Sequence, residues 1–140
     1  IKAALFGRKL VRALAYVIKP ETCEEKAFFE ALGKMGIETK VKDLQIFPGG
    51  MKKGDWDVGL AVDAIRLSDG SVDSIVIGTG DGDYVPLVEY MKSKGRQVEV
   101  IGFGRSTSAK LKEAADDFID MSLDPKRFTI PIKGGIKRTK

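Results

Sequence analysis

The segment from Val72 to Pro86 most constrains how this chain can fold, because an apolar run leads directly into a glycine-rich acidic turn. Ile75, Val76 and Ile77 are β-branched, and the run is short enough for a buried strand. The turn that follows reads Gly78-Thr79-Gly80-Asp81-Gly82-Asp83, and its glycines permit backbone conformations that other residues resist. The next residues carry apolar side chains at helical spacing. The segment therefore predicts a strand, a tight turn and a helix.

Two carboxylates, Asp81 and Asp83, lie two residues apart just after the predicted strand. In an open α/β sheet, ligands bind just outside the carboxyl ends of the strands. Neighbouring carboxylates repel each other unless a cation or a proton lies between them, and hard divalent cations prefer carboxylate oxygens. The pattern predicts an acidic metal site at the strand end. The alternative is a solvated turn, because Asp-Gly is common in turns.

The composition excludes several kinds of chemistry. The 140 residues contain no histidine, which removes histidine general bases, Ser-His-Asp triads and His-ligated metals. Cys23 is the only cysteine, so neither an internal disulfide nor a thiolate zinc cluster can form, and a cytoplasmic location is predicted. No apolar run approaches the roughly 20 residues of a membrane span, so we expect no membrane partner. Catalysis would depend on carboxylates, lysines, hydroxyls or a bound cation.

Strand and helix signals alternate along the chain. Thr22 and Glu25 have the spacing of a capping box, and Gly36 is placed to end the helix that they begin. This alternation predicts an α/β fold, a doubly wound and mostly parallel sheet with helices on both faces. The predicted strands cover residues 12–18, 38–42, 75–79, 97–103 and 118–121, with 38–42 at an edge, and residues 47–50 are predicted to form a loop.

A further helix is predicted over residues 57–67, where the helical wheel is informative. At about 100° per residue, Asp57 falls in the middle of a broad apolar arc, which predicts that it points inward. Such an aspartate is either an N-terminal cap or a functional carboxylate. Asp63 falls in the polar sector, where we expect it to pair with Arg66 three residues on, although a functional role is the alternative.

Three segments resemble motifs of the NYN domain family, most closely its LabA-like branch, within the PIN-like nuclease fold. Residues 53–64, Lys-Gly-Asp-Trp-Asp-Val-Gly-Leu-Ala-Val-Asp-Ala, are similar to the family's Lys-Gly-x-Asp-Val-x-Leu-x-x-Asp, with one extra residue. Residues 79–88 are similar to its Ser-Gly-Asp-x-Asp-Phe-x-Pro-Leu signature. Residues 108–118 resemble the usual ending. The resemblance covers roughly residues 12–121.

The resemblance implies a PIN-like fold and RNA cleavage that depends on Mg²⁺ or Mn²⁺. It implies an acidic centre at Asp57, Asp81 and Asp83, whose side chains we expect to converge, with Asp63 as an outer candidate. Other classes stay open: a non-catalytic RNA- or protein-binding module, and an acidic-site phosphatase, which we rank low. Homo-oligomerisation is also left open. The candidates for holding an RNA phosphate are Lys53, Arg105 and Ser108, and the alternatives are solvated charges and, for Ser108, an ordinary helix cap.

The chain departs from the family pattern in two places. The family's first strand ends in an Asp followed closely by an Asn, whereas this chain has no asparagine and no Asp before Asp43. That strand and its carboxylate are expected to be missing from this sequence, which leaves the activity of the fragment open. Thr79 stands where the family has Ser, a change that we expect to be tolerated.

The positive charge is concentrated after Asp124, where six of the 24 Lys and Arg residues follow with no acidic residue among them. The rest of the chain contains 18 Lys and Arg residues and 20 Asp and Glu residues. We predict an NYN domain over residues 1–121 and a basic tail over residues 122–140. The tail either binds the RNA backbone non-specifically or is a solvated segment. Its cationic residues are Lys126, Arg127, Lys133, Lys137, Arg138 and Lys140.

Overall fold

The computed structural model describes residues 1–129, and the chain divides into two compact units, the first over Ile1–Val72 and the second from Asp73 onward. Most of the predicted tail lies outside the described residues, including Lys133, Lys137, Arg138 and Lys140. Within residues 1–129, none of the helices has the length and apolar character needed to cross a bilayer.

The predicted strands are confirmed, with ends that differ by at most two residues from the expected ranges. In the described part of the chain, the strands are Leu14–Ile18 (β1), Glu38–Lys42 (β2), Gln45–Ile46 (β3), Lys52–Lys53 (β4), Ser74–Gly78 (β5), Gln97–Gly102 (β6) and Asp117–Asp120 (β7). The α-helices of the same part are Lys2–Leu5 (α1), Cys23–Lys34 (α2), Asp57–Ser68 (α3), Val85–Ser93 (α4), Ala109–Ala114 (α5) and Pro125–Phe128 (α6).

In the first unit, α2 connects the parallel strands β1 and β2. The helix begins with the predicted capping box, in which the Thr22 hydroxyl accepts from the Glu25 N–H at 3.1 Å. The Glu25 carboxylate in turn accepts from the Thr22 N–H at 3.2 Å. Gly36 follows the helix with φ of 83°, a left-handed conformation that glycine adopts at little cost. Local residue chemistry thus sets both ends of α2.

The predicted loop at residues 47–50 is confirmed as the turn of a small antiparallel hairpin. The strands β3 and β4 flank it, and the Phe47 N–H donates to the Met51 carbonyl at 2.7 Å. These two strands were not predicted, because two residues are too few to show a strand periodicity.

In the second unit, β5, β6 and β7 form a parallel sheet in that order. Parallel neighbours need a crossover connection, and α4 and α5 provide one each. The register pairs Gly78 with Ile101 and Gly102 with Asp120, so the three strands end at the same edge. The predicted α/β class with mostly parallel pairing is therefore confirmed.

The most deeply buried large apolar side chains of the described residues belong to the second unit. Each large aliphatic side chain among them contributes roughly 1.5–3 kcal/mol through removal from water. They come from α4, β6 and α5, which together fix the sheet edge that carries the acidic turn. These side chains are Met91, Leu111, Val88, Val98 and Val100.

Candidate functional site

The acidic loop, residues 79–83, follows the carboxyl end of β5 as predicted. The Asp81 N–H donates to the Thr79 hydroxyl at 3.2 Å, and the Asp81 carboxylate accepts from the Asp83 N–H at 2.9 Å. Asp81 thereby caps the 3₁₀ turn Gly82–Tyr84 that leads into α4. Both aspartates are exposed. The loop thus presents two carboxylates to solvent on a backbone held by its own hydrogen bonds.

The acidic loop packs closely against the connection from β6 to α5, residues 103–108, which we call the Arg105 loop. The Ser108 N–H donates to the Gly80 carbonyl at 2.9 Å. A Cβ atom on Gly80 would lie 2.5 Å from the Ser106 carbonyl oxygen, closer than real contacts allow. A Cβ atom on Gly82 would lie 2.8 Å from the Ser108 hydroxyl oxygen. Glycine at positions 80 and 82 is therefore what lets the two loops meet.

Two of the phosphate candidates, Arg105 and Ser108, belong to the Arg105 loop, which packs against the acidic loop. Arg105 is exposed in a 3₁₀ turn, Gly104–Ser106. Ser108 occupies the N-cap position of α5, as the alternative of an ordinary helix cap predicts. Its side chain, however, makes no capping hydrogen bond. Its backbone N–H is engaged with Gly80.

Asp120, at the carboxyl end of β7, is a further carboxylate of this sheet edge that sequence analysis missed. Its Oδ1 accepts from the Gly104 N–H and the Ser122 N–H, both at 2.9 Å, and from the Ser122 hydroxyl. The hydrogen bonds from Ser122, together with the Gly104 N–H and the charge of Lys112, lower the pKa of Asp120. Asp120 thereby anchors the Arg105 loop. Its position near the carboxyl end of the strand predicted over residues 118–121 was a usable signal.

Asp57 is the first residue of α3 and is exposed. The helical wheel gave the correct angular position of Asp57 around the helix axis, because the buried residues Ala64 and Ser68 lie within about 20° on either side of that position. The prediction that it points inward was wrong, because Asp57 is exposed and the buried residues of α3 lie further along the helix. The alternative role as N-cap is also wrong, because Trp56 occupies that position. Val58, which the wheel placed in the apolar arc, is 76% exposed.

Asp63 contacts residues of the neighbouring strands, and its predicted pairing with Arg66 is wrong. Its Oδ2 accepts from the Lys40 ammonium at 2.6 Å and from the Tyr16 hydroxyl at 2.9 Å. The hydrogen bond from Lys40, with that from Tyr16 and a smaller contribution from Arg66, lowers the pKa of Asp63. Burial and the hydrogen bond to Asp63 raise the pKa of Tyr16. Spacing along a helix could not reveal partners that lie on β1 and β2.

Lys53, the third phosphate candidate, lies on β4 with an exposed side chain. Its ammonium lies 3.7 Å from the Asp55 carboxylate in an ion pair that both residues leave well exposed. Such a pair is weak and leaves Lys53 available to a stronger anion.

The donor set of Asp57, Asp81 and Asp83 has the chemistry that a hard divalent cation prefers, namely exposed carboxylate oxygens. Asp63 fits less well, because Lys40 and Tyr16 engage its Oδ2. Among the described residues, neither unit contains a group of three or more His, Cys, Asp or Glu side chains that could hold a metal ion. Asp57 lies in the first unit and the other two lie in the second, so the convergence of the three stays a prediction.

The sequence model of the NYN domain matches residues 1–124. Over 120 residues the chain is 23% identical to the low amplitude and bright protein LabA of Synechococcus elongatus, an alignment that covers 81% of this chain and 64% of LabA. Over 88 residues it is 34% identical to an uncharacterized protein of Methanocaldococcus jannaschii, which covers 62% of this chain and 32% of that protein. The chain thus spans less than two thirds of the length of either relative.

A solved structure supports the same fold. The chain resembles the crystal structure of a protein of unknown function from Vibrio parahaemolyticus with a TM-score of 0.74 and 35% sequence identity. The match covers 81% of this chain and 70% of the Vibrio chain. It agrees with the α/β architecture of parallel strands connected by helices.

Proposed function

The chain belongs to the NYN domain family, whose fold is PIN-like, and from this premise we propose that it is a metal-dependent endoribonuclease that hydrolyses RNA phosphodiester bonds. In this proposal Asp57, Asp81 and Asp83 supply ligands to Mg²⁺ or Mn²⁺. The acidic loop is the observation that carries it, because two exposed carboxylates are held on hydrogen-bonded backbone at the carboxyl edge of a parallel sheet.

The residues of the acidic loop have separate tasks. Asp81 uses its Oδ1 to hold the Asp83 N–H, which fixes its carboxylate and leaves Oδ2 for a cation. Asp83 is the middle residue of the 3₁₀ turn that leads into α4, and it is exposed to solvent. When bound, a divalent cation supplies an activated water and stabilises charge on the phosphate. The chain's own contribution is to pre-position oxygen ligands.

Phosphate binding is assigned to the Arg105 loop. Arg105 would contribute a guanidinium that matches phosphate geometry, and the Ser108 hydroxyl a hydrogen bond. Gly80 and Ser108 connect this loop to the acidic loop through one backbone hydrogen bond, so a phosphate held there lies near the carboxylates. Lys53 is a further candidate from the first unit. Asp63 stays outside the ligand set, because it is engaged by Lys40 and Tyr16.

The substitution Asp81→Asn tests the proposal, because it keeps the side-chain shape and the acceptor for the Asp83 N–H while removing one charge. Mg²⁺ or Mn²⁺ should raise the melting temperature of the wild type by mass action, and a concentration of 100 times Kd corresponds to about 2.7 kcal/mol. We expect Asp81→Asn to lose most of this rise, to abolish cleavage of single-stranded RNA, and to melt slightly higher without metal because like charges are relieved.

Asp73→Asn is the matched control, because Asp73 is exposed at the opposite, amino end of the same strand. It should respond to metal like the wild type. If neither cation changes the melting temperature of the wild type and Asp81→Asn cleaves RNA normally, the acidic loop is not a metal site. Binding of RNA without cleavage in either cation would identify a non-catalytic binding module instead. Turnover of a phosphomonoester would identify a phosphatase.

A further inference from the structure

We propose that Trp56 is a positioning residue that fixes Asp57 at the carboxyl end of β1. The inference rests on the proposed function, in which Asp57 is a metal ligand. It concerns the one place where the first motif departs from the family spacing, because Lys53-Gly54-Asp55-Trp56-Asp57 carries an extra residue before the aspartate. An insertion there would shift Asp57 unless the chain is anchored next to it.

The first anchor is a hydrogen bond to β1. The Trp56 indole N–H donates to the Val17 carbonyl at 2.8 Å, and Val17 is the next-to-last residue of that strand. The side chain before Asp57 is therefore tied to the strand end where a parallel α/β sheet binds its ligands. The Trp56 ring also meets the Tyr16 ring edge-on, with centroids 5.4 Å apart at 61°. The hydrogen bond and the ring contact both join the start of α3 to β1.

The second anchor is the first turn of α3 itself. A Cβ atom on Gly59 would lie 2.5 Å from Trp56 Cε3 and 2.9 Å from Cζ3, so the indole lies directly on the backbone at Gly59. The Leu60 N–H donates to the Trp56 carbonyl at 2.7 Å, which closes the same turn. Trp56, the residue before Asp57, is thus held against Gly59 and Leu60, which follow Asp57. The Asp57 backbone between them has little freedom to move.

The third anchor holds the residue before Trp56. The Lys42 ammonium lies 5.6 Å from the centroid of the Trp56 ring and donates to the Asp55 carbonyl at 3.0 Å. A cation over an indole face is attracted to it, and the same ammonium restrains the Asp55 peptide. Contacts from β1, β2 and α3 therefore meet at one side chain. Its neighbour Asp57 is exposed, as a ligand must be.

The sequence offers a direct spectroscopic readout, because Trp56 is the only tryptophan of the chain. Intrinsic tryptophan fluorescence therefore reports on the residue beside Asp57 alone. We expect Mg²⁺ to produce a saturable change in the emission of the wild type, at the same midpoint as its effect on melting. Asp57→Asn should remove this change. A rise in melting temperature with no change in emission would overturn the proposal.

Two variants test positioning by different routes. Trp56→Phe keeps a ring over Gly59 but loses the N–H, and Gly59→Ala keeps the tryptophan but pushes it from its place. Each should weaken Mg²⁺ binding, measured by calorimetry, roughly 3- to 10-fold, the range that one hydrogen bond supports. RNA cleavage should lose kcat, with KM changed less than about two-fold. Gly59→Ala should also shift the emission without metal.

Phe28→Leu is the matched control, since Phe28 is an exposed aromatic of the same unit whose ring contacts Phe29. It should leave Mg²⁺ affinity unchanged. If Asp57→Asn binds Mg²⁺ like the wild type, the ligand assignment of the proposed function fails. If Asp57→Asn loses affinity while folded Trp56→Phe and Gly59→Ala keep it, the positioning role alone is wrong. Should both variants unfold by circular dichroism, the wild-type fluorescence titration decides.

Discussion

Asp63 joins α3 to the strands β1 and β2, and a substitution of one of its partner residues tests this contact. Its partners are Lys40 on β2 and Tyr16 on β1. Lys40→Met should lower the free energy of unfolding at pH 7 by about 1 kcal/mol, a value kept small because the Lys40 side chain is 40% exposed. Urea unfolding of the wild type and the variant measures it.

The pH dependence of this difference has a defined sign. Because Lys40 lowers the folded-state pKa of Asp63, the contribution is present above the pKa of an unfolded aspartate and is lost as the pH falls through the lower, folded value. The cost of Lys40→Met should therefore be constant near neutrality and shrink below about pH 4. Lys19→Met is the control, because Lys19 and Asp43 are 3.7 Å apart and both largely exposed. Equal costs for the two variants would contradict the prediction.

Part of the candidate site was predictable from the residues themselves, and the rest depends on how the elements pack. The acidic loop was predictable, because a strand, a glycine-rich turn and two aspartates are contiguous in sequence. The angle of Asp57 on its helix was predictable from period 3.6, but its exposure was not, because a wheel contains no depth along the helix axis. The partners of Asp63 depend on which strands pack beside α3, and Asp120 is linked to Gly104 across sixteen residues of sequence.

At the scale of elements, the contact between the acidic loop and the Arg105 loop depends on Gly80. Gly80→Ala would place a methyl group 2.5 Å from the Ser106 carbonyl oxygen, so one backbone segment must move. Overpacking of this kind costs about 1–3 kcal/mol, and we expect the free energy of unfolding to fall by that amount. Because the moving backbone carries Asp81, Mg²⁺ binding should weaken as well. Chemical denaturation and calorimetric titration measure the two effects.

Gly78→Ala provides the control two residues earlier. Its added methyl group would meet Ile101 Cγ2 at 3.7 Å, which is ordinary van der Waals contact. It should change the free energy of unfolding by less than half as much as Gly80→Ala and leave Mg²⁺ affinity unaltered. Equal effects of both substitutions would mean that the loss of glycine, rather than the contact between the loops, is responsible.

The elements themselves were largely predictable, because each carries its own start and stop signals. Thr22, Glu25 and Gly36 set the two ends of α2 by local chemistry. β5 contains a contiguous β-branched run, and β6 is rich in β-branched residues. The hairpin of β3 and β4 was missed because its strands are two residues long. The order β5-β6-β7 agrees with the expected parallel sheet, yet the register that aligns Gly102 with Asp120 depends on packing and not on local sequence.

The whole molecule has an uneven charge distribution that bears on how it would bind RNA. Without the six cationic residues after Asp124, 18 basic residues stand against 20 acidic ones, so the domain alone has no excess of positive charge. Repulsion from phosphates would then oppose binding, except where local cations such as Arg105 act. The tail proposed for residues 122–140 would supply the missing attraction, and its charge is what a salt titration detects.

Replacing these six residues with glutamine tests the tail without shortening the chain: Lys126, Arg127, Lys133, Lys137, Arg138 and Lys140. Each phosphate contact on a single strand contributes about 0.7 to the slope of log affinity against log salt, so six contacts would account for a slope of about 4. We expect the variant to bind RNA more weakly at low salt and with a flatter slope, while its melting temperature in Mg²⁺ rises like that of the wild type. The metal response is the internal control, because the acidic loop is unchanged. An unaltered salt slope would mean that the tail is a solvated segment and that RNA affinity resides in the domain.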